Sequence, residues 1–260
     1  MSADLLDRRV LGAVRFLDAV TGDTIDGPLR VSAPGVRWAR NRRGWWVVVS
    51  APGLEAHTAV FPTPPAQPPL GSIAVPLTVE DAGGRYLPRR FTLALPRDPN
   101  PRTPDKPTSL FRPADVVMYA SPSGPVAAGW AVVRVSVSKA GVPAAGALLR
   151  VVRKVEQPAD APPVPLQILG WGMADQRGEA LVAVAGIPVT TWDEGGDGQV
   201  LATEVDARVQ VFWDPAQAWP PDPDTMTGKG KKGVGAAAAK LAAGRVVAVN
   251  IALKDAPPTE

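Results

Sequence analysis

The chain has 260 residues, 45% of them apolar, enough to bury a sizeable core and to exclude wholesale disorder. A net charge of +3 is too slight to argue for nucleic acid or an anionic membrane surface, and the absence of cysteine rules out disulfides and thiolate sites. Proline (30) and glycine (25) are the compositional outliers; both punctuate regular structure, so short elements joined by many turns are expected.

Residues 2–9 read as a short helix or a loose arm, and the first twenty residues lack the basic-then-apolar layout of a secretion signal. No uncharged apolar run approaches the length of a membrane span. Cytoplasmic synthesis without a membrane span is the expectation. From Leu11 a first β-series begins with GAVRFLDAV, a turn at Thr21-Gly22-Asp23, and Pro28 to Val31. Trp38 leads through Asn41-Arg42-Arg43-Gly44 into the strand Trp45 to Val49. Ile73, Val75, Leu77 and Val79 alternate strictly, and Phe91, Leu93 and Leu95 share one face of a further strand.

Pro96 to Pro107 is proline-dense and reads as a semi-rigid spacer, with Asp115 to Ala120 as one strand bridging two domains. Val133, Val135 and Val137 then alternate with Arg134, Ser136 and Ser138, as do Val205 to Val211 and Val247 to Leu253 with their polar or small neighbours. Trp38 to Leu54 parallels Met173 to Val189, and Val14 to Leu29 parallels Val133 to Leu149, apart from an insertion around Gln157 to Pro165. Such spacing reads as a diverged internal duplication. Near the C-terminus, VGAAAAKLAA from Val234 reads as one short helix ended by Gly244. The predicted architecture is all-β: two tandem antiparallel β-sandwiches of transthyretin or immunoglobulin type, with Pro-rich loops and that helix. Residues 10–96 form the first sandwich, 97–128 the linker, and 129–255 the second sandwich, with a flexible loop at 220–233.

Chemistry is sparse. The single histidine, His57, reads as a loop residue at a strand end, and no G-x-S-x-G elbow or zinc-ligand spacing accompanies it. Asp193, Asp197, Gly198 and Glu204 occupy positions 1, 5, 6 and 12 of a calcium-loop template, but Gly195 stands where a ligand is required and both flanks read as strand. A polar hairpin loop between Thr191 and Val205 is the better reading. Gly228 to Gly233 is rich in lysine and glycine without phosphate-loop spacing, and reads as a solvated loop. Trp45 and Trp46 are adjacent on a strand, so they point to opposite faces and only one can enter a given core. With Arg40, Arg42 and Arg43 beside them, and with Trp219 in a Pro-rich loop, they are the candidate interface residues.

Gly141, Pro143, Gly146 and Ala147, followed by Ala174, Asp175, Gly178 and the apolar run Leu181 to Val184, resemble the pattern of carboxypeptidase-regulatory-like modules. That resemblance covers about a quarter of the chain; it implies a small transthyretin-type sandwich with no catalytic residues, serving as a spacer or interaction domain. The longer layout, including YLPRRFTLALPRDP and the segment from Ser109 to Val137, resembles accessory proteins of phage-tail-like contractile injection particles. This second resemblance implies a non-catalytic structural subunit at a particle end, on the cap side rather than the baseplate. It would need no cofactor or small-molecule substrate, and its partners would be other subunits in a homo-oligomeric ring or end complex. The alternative is a free-standing sandwich that binds a glycan or a protein.

Overall fold

The computed structural model describes residues 10–59, 65–154, 165–188, 191–192, 200–201, 204–228 and 233–254. The described chain is all-β, with one short helix, α1 (Glu55–Ala59), and a 3-10 turn at Pro223–Thr225. It divides into two compact units. The first holds residues up to 17, then 23–82 and 90–117; the second holds 18–22, 83–89 and everything from 118 onward.

The first unit is built from β1 (Gly12–Asp18), β2 (Leu29–Ser32), β3 (Arg37–Arg40), β4 (Trp46–Ser50), β5 (Ile73–Asp81), β6 (Arg89–Leu95) and β7 (Ala114–Met118). One sheet runs β3-β4-β1-β7 and the other β2-β5-β6. Alternation decides which side chains lie between the sheets. Val14, Phe16, Val48, Leu77, Val79, Phe91, Leu93 and Leu95 are all buried. Phe16 of the first sheet meets Phe91 of the second edge-to-face, with ring centroids 6.2 Å apart at 83°, the geometry that aromatic quadrupoles favour.

The second unit contains β8 (Ala131–Lys139), β9 (Val142–Pro143), β10 (Leu148–Arg153), β11 (Gln167–Met173), β12 (Glu179–Val184), β13 (Thr191–Trp192), β14 (Val200–Leu201), β15 (Val205–Phe212), β16 (Gly235–Leu241) and β17 (Val246–Leu253). One sheet runs β12-β8-β17, with β9 alongside β8; the other runs β11-β10-β15-β16. Val133, Val135, Val137 and Val182 from the first sheet share a core with Leu149, Val151, Val209 and Val211 from the second. The buried members of this core are all aliphatic, and half-buried Trp213 packs against them. On the other side of the first sheet, Val132, Leu181 and Ala183 are covered by Val20, Ala120, Val126 and Trp130.

Two expectations are corrected. Val234 to Ala243 is not a helix: Gly235 to Leu241 is β16, paired residue for residue with Val211 to Val205 of β15. Alanine favours helices, but propensity is a weak prior, and so short a helix cannot persist without packing. The open edge of β15 offers that packing in a strand register, with Ala239 and Leu241 turned inward and Ala238 and Lys240 outward. Nor is the second unit wholly antiparallel, because β17 runs parallel to β8. The segment read as a linker carries structure of its own. Asp98 bridges Ser109, Arg97 donates to the carbonyls of Pro107, Ser109 and Arg112, and the strand expected at 115–120 is β7, next to β1 in the first unit's sheet.

Candidate interaction surface

The β3–β4 hairpin collects five of the six predicted interface residues. Its turn is set by Asn41, whose side-chain oxygen accepts from the backbone N–H groups of Arg43 and Trp45 at 2.9 Å each, the Asx-turn chemistry that suits asparagine to this position. Gly44 takes the positive φ (77°) that closes the turn. Arg42 and Arg43 are therefore exposed at the tip. Arg40 is tied down: its guanidinium donates to the Asp26 carbonyl at 2.8 Å and lies 3.8 Å from the Asp26 carboxylate.

The two adjacent tryptophans are separated by register. Trp46 pairs with Val14, and Val48 with Gly12, so Trp46 shares the inward face with buried Val14 and Val48. Trp45 precedes the strand, half-buried, with the Arg43 guanidinium 5.4 Å from its ring centroid. That contact is a cation–π interaction at an exposed site. The neighbouring Trp38 has a buried Nε1 with no hydrogen-bond partner.

Trp219, the sixth residue, belongs to the second unit. It is half-buried in the Pro-rich loop between β15 and β16, which Gln217 stitches together by accepting from the Asp222 N–H at 2.8 Å and donating to Thr225 Oγ1 at 2.7 Å. Asp193 and Asp197 of the calcium template lie outside the described residues, as does the run Lys229 to Lys232. Glu204 accepts an ion pair from Arg245 at 3.3 Å and another from Lys240 at 3.8 Å. Among the described residues no group of three acidic, histidine or cysteine side chains could hold a metal. No described helix is long and apolar enough to cross a membrane.

His57 departs from its reading as a loop residue. It sits on α1, 4% exposed, with an unpartnered Nδ1. It lines a cavity of about 30 Å³ with Leu11, Pro96, Arg97 and Leu110. A space of that size holds about one water molecule and no substrate.

The residues that sequence reasoning passed over are arginines, two of them buried and a third, Arg150, half-buried. Arg89, fully buried, donates to Asp224 and lies 3.6 Å from the Asp222 carboxylate. Its guanidinium is also 5.9 Å from the Tyr119 ring. Burial pushes the Tyr119 hydroxyl up to about 12; the two carboxylates add to this and Arg89 opposes it. Arg97 is held only by carbonyls, and burial, followed by repulsion from Arg112, lowers its pKa. On the second unit, Arg150 lies 5.0 Å from the Phe212 ring and 5.6 Å from that of Trp171, and burial likewise lowers its pKa. A Pro-Arg-Arg or Pro-Arg-Asp string carries no signal of burial, because its partners come from other strands and loops.

Every residue of the carboxypeptidase-regulatory-like pattern for which a role can be assigned serves a turn or the core. Asp175 accepts from the N–H groups of Arg177 and Glu179 at 2.8 and 3.0 Å. Gly178 has φ of 75°, and a Cβ there would overlap the Val137 carbonyl oxygen. Ala147 and Ala174 are fully buried, and the Ala174 N–H donates to the Ala147 carbonyl at 2.8 Å. No known family model matches this chain, and no curated protein sequence is significantly similar to it.

Proposed function

We propose that the chain is a non-catalytic structural subunit that acts through protein–protein interfaces in a large, cytoplasmically assembled particle of the contractile phage-tail type. Its place there is at an end of the particle, on the cap side. The two units are read as tandem, diverged sandwiches, the second of carboxypeptidase-regulatory-like type. The observation that carries the interface reading is the β3–β4 tip, where exposed Arg42 and Arg43 stand beside half-buried Trp45, with the Arg43 guanidinium 5.4 Å from its ring centroid. Arginine with a rigid aromatic is the composition of interface hot spots.

The test is recovery of the tagged chain from its native lysate, with electron microscopy and mass spectrometry of what accompanies it. Sheathed tubes bearing the chain at one end are expected, and lost with Arg42→Glu/Arg43→Glu. A clean monomer that binds a glycan, with no particle attached, overturns the proposal.

A further inference from the structure

The sheet edges of this protein are guarded unequally. In the first unit, β3 is four residues long, begins and ends with arginine, and carries a register shift at Arg37/Trp38. Strand β2 is also four residues long and exposes Arg30. Strand β6 opens with two arginines, and β7 exposes Asp115. In the second unit β11 is broken by a register shift opposite Val151/Val152, β16 presents Lys240, and β12 begins with exposed Glu179. Short length, charge and bulges are the devices by which edges are kept from pairing.

Strand β17 has none of them. It is the longest edge strand among the described residues, eight residues reading VVAVNIAL, and its register with β8 is unbroken from Val246 to Leu253. Its outward residues are Val246, Ala248, Asn250 and Ala252, all exposed and uncharged, with Val246 at 60%. Val249, Ile251 and Leu253 are buried on the other face. Beyond β17 no described strand pairs with it.

We infer that the free edge of β17 pairs with β17 of a second copy, antiparallel about a two-fold axis, to make a dimer through a continuous sheet. The strand is suited to its own copy because it carries no charge that would meet its like across the axis. A second copy also supplies the matching edge at no further cost in sequence, as isologous contacts do. Side-chain parity restricts the register, since inward residues must face inward residues. Centring the axis on Asn250 sets Asn250 against Asn250, Ala248 against Ala252, Val249 against Ile251 and Val247 against Leu253. It also gives the one polar side chain of the strand an amide partner, which the register centred on Val249 denies it. Self-pairing of β17 makes no use of the particle assignment, so the two succeed or fail separately.

The absence of cysteine makes the register directly testable in the full-length purified chain. Residues directly opposed on antiparallel strands have Cβ atoms about 4.5–5.5 Å apart, close to what a disulfide requires. Asn250→Cys should therefore give a covalent dimer under mild oxidation. A cysteine at 252 would lie about four strand residues from its copy, on the order of 13 Å away, so Ala252→Cys should stay monomeric on a denaturing gel. Sedimentation should show the wild type at twice the chain mass and Asn250→Lys at the chain mass, with an unchanged far-UV spectrum showing that the exposed substitution leaves the fold intact. A wild type that sediments as a monomer at high concentration overturns the inference. So does a dimer that Asn250→Lys leaves whole, or equal cross-linking at 250 and 252. An extended segment of another protein on this edge would produce the first of these outcomes.

Discussion

In the first unit β1 lies between β4 and β7, with β2, β5 and β6 in the facing sheet; in the second, β8 lies between β12 and β17, with β10, β15 and β16 facing them. Taken in chain order these strands correspond one to one. The odd strand out is β3, which pairs with β4 and extends the first sheet, whereas its counterpart β11 pairs with β10 and extends the opposite one. Glycine separates the two cases. A Cβ on Gly172 would come within 2.8 Å of the Leu181 carbonyl oxygen, and one on Gly170 within 2.8 Å of that of Ala183. Strand β11 thus passes hard against the backbone of β12 on its way to β10, while β3 carries Trp38 and Ala39 at its centre and lies beside β4 in the plane of the sheet. A strand order can repeat while one strand changes sheet, and here the strand that changes is the one whose glycines lie against the neighbouring backbone.

Each unit also secures a long Pro-rich loop with a buried arginine, by different chemistry. Arg97 holds residues 97–112 through neutral carbonyls, and Arg89 holds residues 222–224 through carboxylates. The largest expected effect breaks this contrast. Asp222→Asn/Asp224→Asn keeps the shape but leaves a fully buried guanidinium facing neutral amides. Breaking a buried ion pair costs about 3–5 kcal/mol. With the Asp224 side chain 59% exposed, the expected loss is near the lower end, about 3 kcal/mol. Urea denaturation should report it, and segment-resolved hydrogen exchange should confine it to the second unit, leaving the loop around Arg97 unmoved. Faster exchange in residues 97–112 would show that the two anchors are not independent.

Next in size is an alkaline effect in the second unit. The Tyr119 hydroxyl rises from 10.0 to about 12 in the fold, chiefly through burial. Its raised pKa means that stability is complete below pH 10 and lost as pH climbs toward 12, at about 1.4 kcal/mol per pH unit. Tyr119→Phe should remove that slope, making the variant about 2–3 kcal/mol more resistant than wild type at the top of the window relative to neutral pH. Parallel alkaline losses in the two proteins would count against Tyr119 as the titrating group.

The sheet switch itself can be tested with Gly172→Ala. The added methyl meets backbone, which cannot swing aside as a side-chain tip can, so a loss of about 2 kcal/mol is expected, within the usual range for overpacking. Faster exchange in β11 and β12 should accompany it. An unchanged urea midpoint would mean that the approach of β11 to β12 has slack, and that something other than glycine sends β11 to β10.

Much of this architecture was legible in the sequence because alternation is a local signal. Val133 to Val137, Ile73 to Val79, Phe91 to Leu95 and Val205 to Val211 all bury the faces that their period indicates. The Asn41–Gly44 and Asp175–Gly178 turns were legible because their chemistry is complete within five residues. Partnership at a distance was not. Nothing local marks Arg89 and Arg97 as buried, tells Trp46 from Trp45 before the register with β1 is known, or makes β17 parallel to β8. His57 looked like a loop residue because the residues that line its cavity come from distant segments, among them Leu11, Leu70 and Leu110.

The smallest expected effect lies where local propensity misled most. Strand β16 and its counterpart β6 hold corresponding places beside β15 and β5, yet β6 exposes Thr92 and Ala94 while β16 exposes Ala238 and Lys240. Ala238 is opposite exposed Arg208, with no packing to lose. Ala238→Val moves β16 toward the β-branched composition of an ordinary strand, and strand propensity spans only about 1 kcal/mol in all. A gain of about 0.5 kcal/mol is therefore expected in the urea midpoint. The same substitution in a helix would cost about as much, because valine loses rotamer freedom against the preceding turn. The sign of the shift thus separates the two conformations: a stabilised variant fits the paired strand, and a destabilised one would return this alanine run to the helix that its composition suggests.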